Sequence, residues 1–261
     1  LGKTEEAGAL LLGERPYLGF MCFIAVVIVF DFLVISKTKQ IKWAYVFLLI
    51  LLSSFIFLIV ARLSILLIAL FFIMKTIQYF GNLTLKGKFL TGLIFLLFVI
   101  FILTNKNFKE RLHIENNYNE TFAKVKNQEP RFAIWNCSFL QISNSEFSLF
   151  FGYSNSKSIQ KNLNECYGAT IENASKRSYF LEREFNTHNQ FIDLFLQSGI
   201  VGFLCLITLF FQAIKESRKG VEGGFIVFAF IAFMLFENIF HRQVGVYLFA
   251  IFIPLFFNKK N

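Results

Sequence analysis

The chain has 261 residues, 56% of them hydrophobic and only 16% charged, with 38 phenylalanines and 3 prolines. Soluble domains carry about 45–50% apolar and about 25% charged residues, and one core does not hide the surplus in a chain of this size. An ordinary soluble enzyme, a disordered tail and a small disulfide scaffold are therefore excluded, and the mean hydropathy of +0.57 points to a membrane. The formal charge of +9 suits nucleic acid, but its distribution along the chain argues otherwise. The chain opens at Leu1 with no signal-peptide pattern, and it reads as a piece of a longer membrane protein.

A helix needs about 20 mostly apolar residues, with about 17–25 usual, to cross the hydrocarbon layer. In chain order, 17–35, 43–60, 62–80, 89–104, 190–214, 225–240 and 243–257 meet or approach that requirement. They are apolar all round rather than along one stripe, as lipid burial demands. The last two join tightly around Phe240–Arg242 and read either as two spans or as a re-entrant hairpin. The expected fold is an all-α polytopic membrane protein with about seven transmembrane helices. Residues 1–104 carry four of them, 105–188 form one large outward loop, and 189–261 carry the C-terminal helices and a short tail.

Basic residues set the orientation. Lys37, Lys39, Lys42, Lys86, Lys88, Lys215, Arg218, Lys219, Lys259 and Lys260 all fall on one side of a seven-span chain, against Glu216 and Glu222. Short loops rich in lysine and arginine stay in the cytoplasm. The charge excess is thus a topology signal rather than a nucleic-acid footprint. The tail is expected to be cytoplasmic and the long loop outward.

That loop has 84 residues, 11 basic and 9 acidic. Its first part, 108–128, is polar and suits a helix. Arg131 to Gln141 has apolar residues at helical spacing, and Phe151 to Ser158 is rich in turn residues. Cys137 and Cys166 share this loop, which is oxidising if it lies outside the cell, so they are candidates for a disulfide. Cys22 and Cys205 lie in spans, where a thiol behaves as a small apolar group. No His or Cys spacing matches a zinc site.

The outward rim collects the polar residues of interest. Arg62 sits at the end of the third span; an arginine there either snorkels to headgroups or serves a function. Arg131 and Trp135, four apart, share a helix face, which alone suits simple packing. His188 precedes the fifth span, where Thr187 or Asn186 can cap the helix, and its side chain titrates in a range suited to proton transfer. Glu237, His241 and Arg242 come from the last two spans, with a Glu237–Arg242 pair as the plain structural reading. Together, arginines and a histidine from four segments converge on one face. Guanidinium forks match phosphate oxygens at any working pH, so such a rim suits a lipid-linked phosphate or diphosphate.

The order of features carries a resemblance. Arg62 ends a span; the long loop holds Arg131-Phe-Ala-Ile-Trp135 and then Phe151-Gly152-Tyr153. Thr187-His188-Asn189-Gln190-Phe191-Ile192 and Gln197-Ser198-Gly199-Ile200-Val201-Gly202-Phe203 follow. This resembles the C-terminal portion of the O-antigen ligase and O-antigen polymerase superfamily, over roughly 17–257. The resemblance implies a GT-C-like glycosyltransferase architecture in the bacterial inner membrane, with the large loop periplasmic. It implies a metal-independent transfer of glycan from undecaprenyl diphosphate to an acceptor sugar hydroxyl, with no cofactor beyond that lipid-linked oligosaccharide or polysaccharide donor. The other partners would be a glycolipid or glycan acceptor and membrane lipids, with no nucleic acid. By position, Arg62 and Arg131 would bind the diphosphate and His188 would activate or orient the acceptor. Arg242 joins them on location, with Trp135, Asn189 and Glu237 in support. The family usually has about ten to twelve spans, so several N-terminal helices would be missing.

Ligase and polymerase remain equally open. A transporter of an anionic substrate would place ionisable residues near the bilayer midplane and show an inverted repeat. Here the candidates crowd one rim, with Asp31 the one other charge expected well within a span. A scaffold whose loop binds a partner would tolerate His188→Ala, whereas a glycosyltransferase would not.

Overall fold

A computed structural model describes residues 15–80, 117, 129–153, 155–217 and 221–257. Among them the elements are α1 (Arg15–Ile35), α2 (Lys39–Leu58), α3 (Arg62–Phe80), α4 (Pro130–Leu140) with a 3-10 turn (Gln141–Ser143), and α5 (Ser156–Thr170). They continue with α6 (Ala174–Arg183), α7 (Gln190–Ser217), α8 (Val221–Met234), a 3-10 turn (Ile239–His241) and α9 (Gln243–Phe257). No strand occurs among the described residues beyond a single bridge between Ser148 and Gly152. The all-helical reading therefore holds there.

Among the described residues, four helices are long and apolar enough to cross a membrane: Arg15–Ile35, Lys39–Leu58, Arg62–Tyr79 and Gln190–Glu216. The expected span 89–104 and, apart from Asn117, the polar stretch 108–128 lie outside the described residues. The expected span 243–257 returns as α9 (Gln243–Phe257), whereas 225–240 is helical only as far as Met234, the end of α8. Its 14 residues reach only about 21 Å at 1.5 Å per residue, against about 30 Å of hydrocarbon. Residues 235–238 leave the helix there, and they carry the polar pair Glu237 and Asn238 into the site described below.

α1 is the hub of the bundle. Tyr17, Phe20, Ile24 and Val27 are buried along one face, and Phe20 stacks on Phe233 of α8 at 4.4 Å between centroids. Tyr17 meets the same ring edge-on at 5.2 Å. Gly19 lets α1 approach the start of α3, because a Cβ there would lie 2.3 Å from that of Ala61. α2 buries only Leu49 and Ile56 and exposes Trp43, Phe47, Ile50 and Leu51. That apolar face would be untenable in water and is ordinary against lipid.

α2 ends in a tight turn. The Ala61 amide reaches back to the Ile56 carbonyl at 3.3 Å, with Val60 in the left-handed region at φ 50°. Glycine normally holds that position, and a β-branched residue there is strained by about 1–3 kcal/mol. The consequence is positional, since Arg62 begins α3 directly after the turn.

α4, α5 and α6 form a cap with its own core of Ile134, Leu163, Tyr167 and Phe180. Asn155 and Asn173 cap α5 and α6 by accepting from the Lys157 and Lys176 amides. A disulfide joins Cys137 of α4 to Cys166 of α5. The turn-rich stretch Phe151 to Ser158 gives way to helix at Ser156, where α5 begins. Beneath the cap, α7 is broken at Gly199 (φ 60°, ψ −156°). Glycine alone adopts that backbone conformation readily.

Candidate functional site

One end of the bundle gathers the starts of α1, α3, α4 and α7 and the segment after α8. A cavity of about 770 Å³ opens there, lined by Arg15, Arg62, Glu129, Arg131, Trp135 and Glu237 over an apolar floor that includes Leu63, Leu66 and Phe233. A charged mouth above apolar walls suits an amphiphile with an anionic head.

The charged groups form a chain. Glu129 accepts from Arg62 Nη1 at 3.4 Å and from Arg131 Nη1 at 2.6 Å, holding two guanidiniums together that would otherwise repel. Glu129 precedes α4, whose first residue is Pro130. Pro130 lacks an N–H to be capped, and the Glu129 side chain makes no cap bond. Arg131 Nη2 continues to Glu237 Oε1 at 3.1 Å, and Glu237 Oε2 meets His188 Nδ1 at 3.3 Å. Arg131 also donates to the Phe236 carbonyl. His188 is thus one contact from the cavity wall, through Glu237.

His188 is held in a restricted conformation. Its φ is 42°, and its amide donates to Asn186 Oδ1 at 3.1 Å. The expected capping by Thr187 or Asn186 falls instead to Asn189, whose Oδ1 accepts from the Phe191 and Ile192 amides. Asn189 Nδ2 donates to the Leu235 carbonyl at 3.1 Å, tying the head of α7 to the end of α8. Trp135 Nε1 donates to the Thr187 carbonyl at 3.1 Å, which fixes α4 against the histidine segment. Gln190 accepts from the Phe240 amide at 2.8 Å. The two segments carrying His188 and Glu237 are therefore clamped by backbone and side chain together.

A second cluster lies beside the first. Asp193 is buried one turn into α7 and accepts from His241 Nε2 and Gln197 Nε2, both at 2.8 Å. Its other oxygen meets Thr187 Oγ1 at 3.4 Å, and Thr187 exchanges hydrogen bonds with Asn238. The Asp193 bond raises the pKa of His241 above the ordinary histidine value, against opposing burial and the charge of Arg242.

Of the residues singled out from sequence, Arg62, Arg131, Trp135, His188, Asn189 and Glu237 share this network. Glu237 bridges Arg131 and His188, a role the expected pairing with Arg242 did not foresee. Arg242 is exposed beyond the 3-10 turn and does not line the cavity. Arg15, Glu129, Asp193, Asn238 and the Asp193–His241 contact were missed. The acid beside Pro130 and Arg131 and the aspartate four residues into α7 were visible signals. Asp31 is also not alone among charges within spans, since Lys75 is buried in α3 and ion-paired with Glu222.

A family model described as O-Antigen ligase matches residues 47–207, more than half of the chain. The match runs from α2 into α7 and includes Arg62, Arg131, Trp135 and His188, while Glu237 lies beyond it. No curated protein and no solved structure matches the chain.

Proposed function

The chain belongs to the O-antigen ligase family, and from that premise we propose that it transfers glycan from undecaprenyl diphosphate to an acceptor sugar hydroxyl. What carries the reading is the junction of Arg62, Arg131 and His188, which come from three distant segments and meet through Glu129 and Glu237 at one cavity mouth. In this reading the protein lies in the bacterial inner membrane as a GT-C-like glycosyltransferase, with the cap periplasmic and the C-terminus cytoplasmic.

The chemistry follows from the groups present. Arg62 and Arg131 bind the diphosphate through charge-assisted bonds. The acceptor oxygen attacks the anomeric carbon of the donor while the bond from that carbon to the diphosphate breaks. The acceptor proton passes to Nε2 of His188, because Nδ1 faces the Glu237 carboxylate. Glu237 orients the ring and offsets the imidazolium charge, the part a carboxylate plays beside the histidine of a catalytic triad. The departing diphosphate takes the electron pair, and the guanidiniums stabilise its charge in a site fixed beforehand by Glu129. A divalent cation has no part in this scheme.

The test is deletion of the full-length gene with rescue by wild type and by His188→Ala, read on gels of cell-surface glycolipids. Core without repeats, with lipid-linked polymer accumulating, identifies a ligase. Core bearing one repeat with no ladder identifies a polymerase, which shares every step above. Rescue by His188→Ala overturns the proposal. An unaltered pattern in the deletion strain sends the test to exopolysaccharide and protein glycans, and intact glycans there favour a transporter or scaffold. In vitro transfer that EDTA abolishes and magnesium restores overturns the metal-independent scheme.

A further inference from the structure

α7 changes character at its break. Gln190, Asp193, Gln197 and Ser198 precede Gly199, whereas Ile200 to Ile214 is apolar except for Thr208 and Gln212, and Lys215 closes the run. At about 1.5 Å per residue, Ile200 stands roughly 22 Å along the helix from Lys215. With Lys215 at one boundary of a hydrocarbon layer about 30 Å thick, Ile200 lies inside the other. Any part of the cap tied to this level is within the bilayer.

The segment Ser148–Gly152 is tied there by backbone. The Ile200 amide donates to the Leu149 carbonyl at 2.9 Å and the Val201 amide to the Phe150 carbonyl at 3.4 Å. In return, the Tyr153 amide donates to the Leu196 carbonyl at 2.8 Å. The break at Gly199 turns these helix groups toward the loop, and each side satisfies the other's backbone groups, as a hydrocarbon environment requires. The approach is close enough to require glycine on both sides. A Cβ on Gly199 would lie 2.4 Å from the Phe150 carbonyl, and one on Gly152 would lie 2.4 Å from the Leu196 carbonyl oxygen. Phe147 anchors the loop on Phe195 of α7 at 5.5 Å between centroids.

The tip faces outward and is apolar. Leu149, Phe150 and Phe151 are 54%, 61% and 65% exposed, beside Val201 and Leu204 of α7 at 48% and 53%. The tip thus continues the outward apolar face of a helix that crosses the membrane. We infer that Leu149, Phe150 and Phe151 form a membrane-inserted tip whose partner is the acyl chains of bilayer lipids. The tip holds the cap down beside α7 in the leaflet on the cap side. The inference does not depend on the glycosyl-transfer reading.

The test uses full-length protein in phospholipid nanodiscs, carrying Cys22→Ala and Cys205→Ala and retaining the Cys137–Cys166 disulfide. Leu149→Cys and Phe150→Cys variants receive a nitroxide, and its collisions are measured with oxygen, which concentrates in hydrocarbon, and with a water-soluble nickel chelate. Val201→Cys serves as the lipid reference and Lys161→Cys, on the exposed face of α5, as the water reference. The expected oxygen-to-nickel ratio at the tip matches that at Val201→Cys. A ratio matching Lys161→Cys overturns the inference, as does protection from both reagents, which would mean that protein covers the tip. Phe150→Trp gives a second measurement with an aromatic side chain retained, after subtraction of Trp43 and Trp135 emission. Quenching of the added emission by bromine-bearing acyl chains supports insertion, and quenching by aqueous acrylamide alone overturns it.

Discussion

Glu237→Gln separates the role of charge from that of shape. The carboxylate has one oxygen 3.1 Å from Arg131 Nη2 and the other 3.3 Å from His188 Nδ1. A glutamine keeps the volume but has one acceptor and one donor end. Arg131 has only donors, so it takes the amide oxygen and leaves the amide N–H to face Nδ1. Nδ1 must then accept, which puts the ring proton on Nε2, the nitrogen that the proposed reaction needs as a base. A misplaced proton of this kind removes most of the general-base contribution, about 100- to 10,000-fold. That equals roughly 3–5 kcal/mol at about 1.4 kcal/mol per tenfold. Arg131 keeps Glu129 at 2.6 Å, so donor binding should hold while turnover falls. The assay is glycan transfer in proteoliposomes with purified lipid-linked donor, resolved into kcat and KM. The Glu237→Gln and His188→Ala losses should not multiply, because the two residues act as one unit. A Glu237→Gln enzyme within threefold of wild type, or a double variant far worse than His188→Ala, would refute the reasoning.

Four further outcomes are expected. Gly199→Ala should destabilise by about 2–6 kcal/mol, combining backbone strain with overlap against Phe150. Gly168→Ala, where a Cβ meets nothing within 4 Å, should instead stabilise α5 by about 0.5–1 kcal/mol; thermal unfolding of the pair measures both. His241 has a raised folded pKa from its bond to Asp193, so its contribution is full below the unfolded value of about 6.5. It is lost as pH rises through the folded value, and the stability gap between wild type and His241→Gln should shrink in that direction; a widening gap would contradict the assignment. Cys137 and Cys166 are 29 residues apart, and loop-closure entropy predicts a loss of about 3–4 kcal/mol from cap stability in Cys137→Ser. Reductant should lower the unfolding midpoint of the wild type and leave that variant unchanged.

What could be read along the chain and what could not divides at the range of the interactions. The apolar runs 17–35, 43–60 and 62–80 returned as α1 to α3 with ends shifted by up to four residues, because lipid transfer is a sum over local side chains. The run 225–240 did not, because its polar end, Glu237 and Asn238, finds partners on α4 and at the head of α7 that local hydropathy does not contain. Arg62 and His188 stood out as polar residues at span ends. Glu129 did not, because an acid in a polar loop looks like any solvated charge until Arg62 arrives from 67 residues away.

By itself the sequence determined that this chain enters a membrane and that its spanning helices are apolar all round, since each is a property of composition summed over a short window. Only the tertiary structure decided that Glu237 serves Arg131 and His188, that Asn189 caps α7, and that Gly152 and Gly199 press a loop against a broken helix. Those outcomes depend on directional contacts a few ångströms long between segments far apart in the chain, and such contacts exist only once the backbone has brought the segments together.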